Sequence, residues 1–368
     1  MPRTLPLLAL AALLVCTHTA ARGQKAARAG AARERQIAAR FAPVFRQALG
    51  DHPRADYLTS FDFDGDWRGD NNWKNADDPR FRLRAHVYFA ASETVTHFYA
   101  HYAVFHPRDY KGGSTAGPLL SDAIREGARR GGRYDPTGLS SEAVLAHEND
   151  MEGCLVVAEK GGGEDPARAR VILVETLAHD RFLKYAPEGT PAPFARVRLE
   201  GQSPLLFVEA KGHGVLAYDG GDRQEPRRGT LVYTFAGRAE DPEAGGKESV
   251  GYELVPLYDT LWRRALRGSK DTFGEVADYG ALSFEAAGAK RQSRRTRRLG
   301  RLGASFLGAF GAPNAARPPW GWFDRAERGR PRGEWFFDPA ATARRHLGRG
   351  ADFSTAYLHA PFLGLFRR

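Results

Sequence analysis

The residues best suited to chemistry lie in His147-Glu148-Asn149-Asp150-Met151-Glu152, followed directly by the apolar run Gly153-Cys154-Leu155-Val156-Val157. His147, Asp150 and Glu152 fall at H-x-x-D-x-E and offer one imidazole and two hard oxygen donors. That mix suits a divalent cation such as Ca²⁺, Mg²⁺ or Mn²⁺, and zinc less well. If the run is a strand, Asp150 and Glu152 share a face, because alternate side chains do. His147 then needs a bend or bulge to turn toward them. The competing reading is a solvated polar turn that holds no ion.

Other candidates surround this motif. Tyr102-Ala103-Val104-Phe105-His106-Pro107-Arg108-Asp109 is an aromatic strand that reaches a proline and then presents a carboxylate. A strand end suits a ligand, since the scaffold holds it while the loop leaves it accessible. His179 and His213 each end a candidate strand. Either could turn into the same mouth as His147, as a general base or substrate donor, or be a structural residue. His97, His101 and His106 cluster without a common zinc spacing. Phe61 to Trp73 is dense in aspartate but lacks the calcium-loop spacing and its closing glutamate. It reads as an Asx-rich turn with tryptophan anchors, or else Asp64 or Asp66 folds back behind the main site. No nucleophile elbow, Walker loop or Rossmann glycine pattern is present.

The elements that must position these residues are mainly strands. Alternation and β-branched content predict strands over 81–89, 96–105, 155–158, 169–177, 195–199, 205–209, 231–235 and 253–257. Arg33 to Leu49 carries apolar residues at helical spacing, with Pro43 as an interruption. Short helices are expected over Pro118 to Gly131 and Leu257 to Leu266, with surface turns at Gly161 to Asp165 and Gly237 to Ser249. Short strands with Gly/Pro turns predict an all-β fold, a β-sandwich of jelly-roll-like form with helical insertions and an N-terminal helix. The organisation expected is a signal peptide over 1–21, a leader and helix over 22–50, and one domain over 51–368.

Composition bounds the rest. The 368 residues are 42% hydrophobic and 27% charged, in the range of globular proteins. Arg3, the apolar Leu5 to Val15 and the small residues Thr19-Ala20-Ala21 have the layout of a secretory signal, too short to span a bilayer. The expectation is a periplasmic or extracellular protein, with Cys16 as a candidate lipid anchor and no transmembrane span after the signal. Cys154 is then the sole cysteine of the mature body, so an intrachain disulfide is excluded. The net charge of +10 is partly local: Lys290 to Arg298 has no acidic residue. Such a run can meet phosphates of nucleic acid or anionic lipid, but without interleaved aromatics it reads as a solvated loop. Export argues against a nucleic-acid partner.

Tyr102 to Asp109 resembles the Y-A-W-Y-F-P-K-D segment of necrosis-inducing (Nep1-like) proteins, and His147 to Glu152 resembles their H-R-H-D-W-E motif, in the same order. Leu177-Ala178-His179 is similar to the family's S-A-H segment. Leu206 to Gly214 and Ala316 to Trp322 resemble the V-x-x-x-G-S-H and N-P-P-W-G-W segments of vacuolar-protein-sorting-like relatives. Met151 stands where the toxins have tryptophan, and the toxins' paired cysteines are missing. The resemblance is thus closer to the bacterial and sorting-protein relatives, and does not imply toxin activity. It implies a β-sandwich with one divalent cation held by Asp109, His147, Asp150 and Glu152. Three carboxylates against +2 favour Ca²⁺ or Mg²⁺. The function expected is docking of a glycan or lipid headgroup at the ion. The alternatives are a metal-dependent hydrolase of phosphoester or glycan substrates using His179 or His213, and a purely structural ion.

Overall fold

The computed structural model describes residues 30–50, 52–109, 147–221, 224, 229–244, 246, 248–288, 292–308, 316–350 and 352–367. The expected signal segment with Cys16, and the expected helix over Pro118 to Gly131, lie outside these residues. The strands, in chain order, are β1 Val44–Ala48, β2 His86–Thr94, β3 His97–Asp109, β4 His147–Glu159, β5 Arg170–Ala178, β6 Arg181–Pro187, β7 Ala195–Val197, β8 Leu199–Glu200, β9 Ser203–Val208, β10 Val215–Ala217, β11 Thr230–Phe235, β12 Ser249–Pro256, β13 Phe273–Asp278, β14 Ala281–Ala287, β15 Gln292–Arg298, β16 Arg301–Phe306 and β17 Ala356–His359. The helices are α1 (30–40), α2 Asn72–Asn75, α3 Leu261–Arg267, α4 Glu334–Phe337 and α5 Pro339–His346.

The chain is mostly β, as expected, but two facing sheets of a sandwich are not what forms. One 15-stranded mixed sheet runs β10-β9-β1-β11-β12-β2-β3-β4-β5-β6-β7, with β8, β14, β15 and β17 branching from it. Parallel pairs such as β1–β9, β11–β12 and β12–β2 join what would otherwise be separate layers. The path curls until β10 lies against β5 and β4, and β7 against β9, giving a nearly closed, barrel-like sheet. Twisted sheets this wide must curl or split.

The centre of the sheet is buried on both faces, which is why β3 reads as a nearly continuous apolar run. Phe98, Ala100, Tyr102 and Val104 meet Cys154, Val156 and Ala158 of β4 in a cluster inside the curl. Tyr99, Ala103 and Phe105 join Met151, Leu155 and Val157 in a second cluster outside it. This outer face is covered by α3, α4, α5 and the separate β13–β16 pair. Phe182 stacks on Trp335 there, with ring centroids 4.5 Å apart. Burying a Phe-sized side chain contributes about 1.5–3 kcal/mol. Cys154 is a buried free thiol whose pKa burial raises, as expected of an inert core residue.

Two local expectations need correction. The helix expected over Arg33 to Leu49 covers only 30–40, after which β1 begins. Pro43 lacks an N–H and cannot continue the helix, and the chain beyond it pairs with β9 and β11 instead. The basic run is also not a loop over its described part. Gln292 to Arg298 form β15, paired antiparallel with β14 from Ala281↔Arg298 to Ala287↔Gln292. Its arginines point to solvent along an edge, where charge discourages further strand pairing without preventing this one. Among the described residues, no helix is long and apolar enough to cross a membrane.

Candidate functional site

Asp109 and His147 are the last residue of β3 and the first of β4, and they face each other across the ribbon in an unbroken register. His147 Nε2 lies 3.3 Å from Asp109 Oδ2. Asp150 and Glu152 follow on one face of β4, as alternation predicts. By that same alternation His147 would point away from them. The expected bend is Asn149, which has φ +60° within the strand. Asparagine tolerates this left-handed region better than most residues, and the fold holds it there. Asn149 Nδ2 donates to Gly69 O at 2.6 Å and Leu307 O at 2.9 Å, while its Oδ1 accepts from Asn72 Nδ2 at 2.6 Å.

Asp109, His147, Asp150 and Glu152 therefore line one cavity of about 380 Å³, together with Met151, Leu177 and His179. Glu152 Oε1 accepts the His179 backbone N–H at 2.8 Å, and its Oε2 is buried without a hydrogen-bond partner. Burial, then the Asp150 charge, hold the Glu152 pKa well above the usual carboxylate value. Among the described residues, no group of three or more His, Cys, Asp or Glu donors is gathered closely enough to hold a metal ion in these rotamers. The donors share the cavity, but two of the carboxylates are partly turned to histidines.

One of those histidines is His213. It is buried, its Nδ1 lies 2.9 Å from Asp150 Oδ2, and its Nε2 lies 3.2 Å from Asp56 Oδ1. Burial opposes its charge, but hydrogen bonds to Asp150 and Asp56 outweigh that and hold its pKa up to about 10. His106 stacks on it with ring centroids 3.7 Å apart, and is kept well below the usual histidine value by burial and by the His213 charge. With both ring nitrogens engaged and no place in the cavity lining, His213 positions Asp150. His179 does line the cavity. Its side chain is 58% exposed and its Nε2 lies 3.0 Å from Glu209 Oε2, an interaction that raises its pKa. The ring sits over Gly212, where a Cβ would come within 2.9 Å of it.

The non-glycine residues with positive φ among the described residues are Asn149, His179, Lys211 and His213, and all belong to this mouth or its wall. Backbone strain of this kind persists where surrounding contacts over-determine it, and it concentrates at functional sites.

The remaining candidates fall elsewhere. Asp64 and Asp66 are taken up by Asn75, Asn71 and turn N–H groups, the Asx-rich turn expected, with Trp67 stacked on Phe61. That turn buttresses Asn149 rather than reaching the cavity. His97 and His101 pack on Phe353 and on Trp335 and Phe336, apart from each other and from His106. Sequence reasoning missed Asp56, Glu209 and the opposite rim. That rim comprises Arg317, Trp322, Phe323, Arg325 and Arg328. Trp322 was visible only within the Ala316 to Trp322 segment. Its Nε1 donates to Met151 O at 3.0 Å, and its ring packs on Gly153, where a Cβ has no room against the Tyr102 carbonyl of β3 and the indole.

No family model matches the chain, and no curated protein matches it. Solved structures do. NLPPya in complex with glucosamine is 13% identical with a TM-score of 0.31, covering 61% of this chain and 74% of that one. Necrosis and ethylene inducing protein 2, from the causal agent of cocoa's witches' broom disease, is 15% identical with a TM-score of 0.28, covering 50% and 68%. The non-toxic HaNLP3 protein is 14% identical with a TM-score of 0.25, covering 60% and 74%. Superpositions this loose carry no argument about the site. These structures are Nep1-like proteins, the superfamily that Tyr102 to Asp109 and His147 to Glu152 resemble, and the likeness is a distant one.

Proposed function

We propose that this chain is an exported protein that binds one divalent cation, Ca²⁺ or Mg²⁺, through Asp109, His147, Asp150 and Glu152. The ion would dock a polar or anionic headgroup of a glycan or lipid in the same cavity. The observation that carries this reading is the buried, unpartnered Glu152 Oε2 in a cavity shared with the other three donors. An orphaned buried carboxylate oxygen is costly unless a proton or a cation meets it. The donor types fit a hard cation, and His213 is a buried cation shared between Asp150 and Asp56 beside Asp109 and Glu152. When bound, the ion supplies an electrostatic anchor.

The chain's own residues do the rest. His213 holds Asp150 in orientation, and the His179 N–H holds Glu152. Coordination requires His147 and Asp109, now in contact, to turn toward the shared space. Trp322 and Phe323 provide an apolar wall for a sugar ring, and the rim arginines complement an anionic group. The deciding experiment is elemental analysis of the purified protein beside Asp109→Ala and Glu152→Ala. Bound Ca²⁺ or Mg²⁺ in the parent and its loss in both variants is the expected result. Unchanged metal content in both variants overturns the proposal.

A second reading, a metal-dependent hydrolase of phosphoester or glycan substrates, is favoured by His179. An accessible imidazole backed by Glu209 has the geometry of an oriented general base. Turnover on a substrate panel that disappears in His179→Ala, with metal retained, supports it, and a panel with no turnover sinks it. If the ion is structural only, Asp150→Ala lowers the melting temperature and leaves ligand binding unchanged.

A further inference from the structure

A second concavity, of about 440 Å³, opens between the β14–β15 hairpin and the C-terminal end of α5. It shares no lining residue with the acidic mouth and has the opposite character. Arg294 of β15, Arg344 of α5 and Arg349 just beyond α5 converge on it from two distant stretches of chain. Among the described residues, none of the three makes an ion pair.

The carboxylates that also line the groove are already engaged. Glu285 Oε2 accepts the Thr355 hydroxyl at 2.6 Å, and Asp338 Oδ1 accepts the Tyr357 hydroxyl at 2.7 Å and the Ala341 N–H at 3.2 Å. Glu285 stands directly opposite Arg294 across the hairpin and still forms no ion pair with it. Nearby Arg345 shows what neutralisation looks like here: it pairs with Glu327 at 2.9 Å and Glu334 at 3.2 Å. The pairing of β15 with β14 holds Arg294 at a set position rather than on a loose chain. Arg298, on the same face of β15 as Arg294, extends the exposed positive surface, while Arg295 and Arg297 fall on the other face of the strand.

We propose that this groove is a binding site for a phosphate group, with Arg294, Arg344 and Arg349 as its donors. Guanidinium forks bind phosphate in paired hydrogen bonds. A tetrahedral dianion offers its oxygens in three dimensions, whereas the acceptor sites of a carboxylate lie in one plane. The site is independent of any ion in the mouth.

The test is titration of the full chain with inorganic phosphate, and sedimentation with phosphatidylcholine vesicles made with or without phosphatidic acid. The parent binds phosphate, and Arg344→Gln/Arg349→Gln weakens it about tenfold or more at an unchanged melting temperature. Arg295→Gln/Arg298→Gln removes the same charge from outside the groove and changes binding less than about twofold. Co-sedimentation with phosphatidic acid vesicles, lost in the groove variant, assigns the phosphate to a lipid headgroup. Phosphate binding without vesicle binding assigns it to a soluble ligand. No phosphate binding by the parent, or equal losses in the two double variants, overturns the proposal.

Discussion

The β2–β3–β4 ribbon carries a buried charge cluster at each end, and the two are balanced in opposite ways. At one end stands Glu93, the penultimate residue of β2. Its carboxylate is fully buried and meets Arg33 of α1 at 2.9 Å, Lys160 beyond β4 at 2.9 Å and Arg367 near the C-terminus at 2.7 Å. Burial works against its charge, yet the three cations hold its pKa down to about 2. At the other end, Asp109, Asp150 and Glu152 crowd one cavity with Asp56 behind them, and His213 is the buried cation between two of them. The Glu93 cluster is rich in cations and ties α1 and Arg367 to the ribbon. The mouth instead gathers Asp56, Asp109, Asp150 and Glu152 around the buried cation His213, with Arg317, Arg325 and Arg328 across the cavity.

The contrast can be broken most forcefully at Glu93. Glu93→Ala leaves Lys160 buried without its carboxylate and is expected to cost about 3–5 kcal/mol. A denaturant titration measures the loss, while metal content stays at the parental level. A destabilisation below about 1 kcal/mol would show that the cluster is not the cation-rich network described. Acid should act on the same group. Its folded pKa lies below its unfolded value of 4.5, so its contribution is fully present above about pH 4.5 and is lost as pH falls toward 2. The shift corresponds to on the order of 3 kcal/mol. The stability gap between the parent and Glu93→Gln should accordingly shrink across that window, and a gap independent of pH would contradict the assignment.

The mouth should respond differently. Asn149→Ala keeps the left-handed backbone demand and loses three hydrogen bonds, at a cost of about 2 kcal/mol. Asn149→Gly, which meets the backbone demand freely, should cost less when both are compared by thermal melting. The reverse order would mean that the left-handed backbone at Asn149 is not a demand the fold imposes there. Glu152→Gln should change the stability of the metal-free protein by less than about 1 kcal/mol, since it relieves crowding and can still accept the His179 N–H. It should nevertheless abolish metal retention. A large destabilisation in chelator would place Glu152 on the structural side of the comparison.

Local pattern carried a good deal of this. Alternation located the central strands, and the resemblance at Tyr102 to Asp109 and His147 to Glu152 picked the residues that share the cavity. The signals failed where long-range pairing overrode local preference. Val44 to Ala48 looked like the continuation of a helix until β9 and β11 were there to pair with it. Gln292 to Arg298 looked like a charged loop until β14 offered a ladder. Asp56 and Glu209 carry no local mark, because their roles come from partners 157 and 30 residues away.

What the chain's order of residues dictated alone was the spacing of donors on β4 and the two-residue period that sets Asp150 beside Glu152. Both follow from backbone geometry within a few residues. The curl of the sheet, the left-handed bend at Asn149 and the arginine and tryptophan rim belong to the folded molecule. They depend on contacts between segments far apart in the chain, where packing and hydrogen bonding outweigh local propensity.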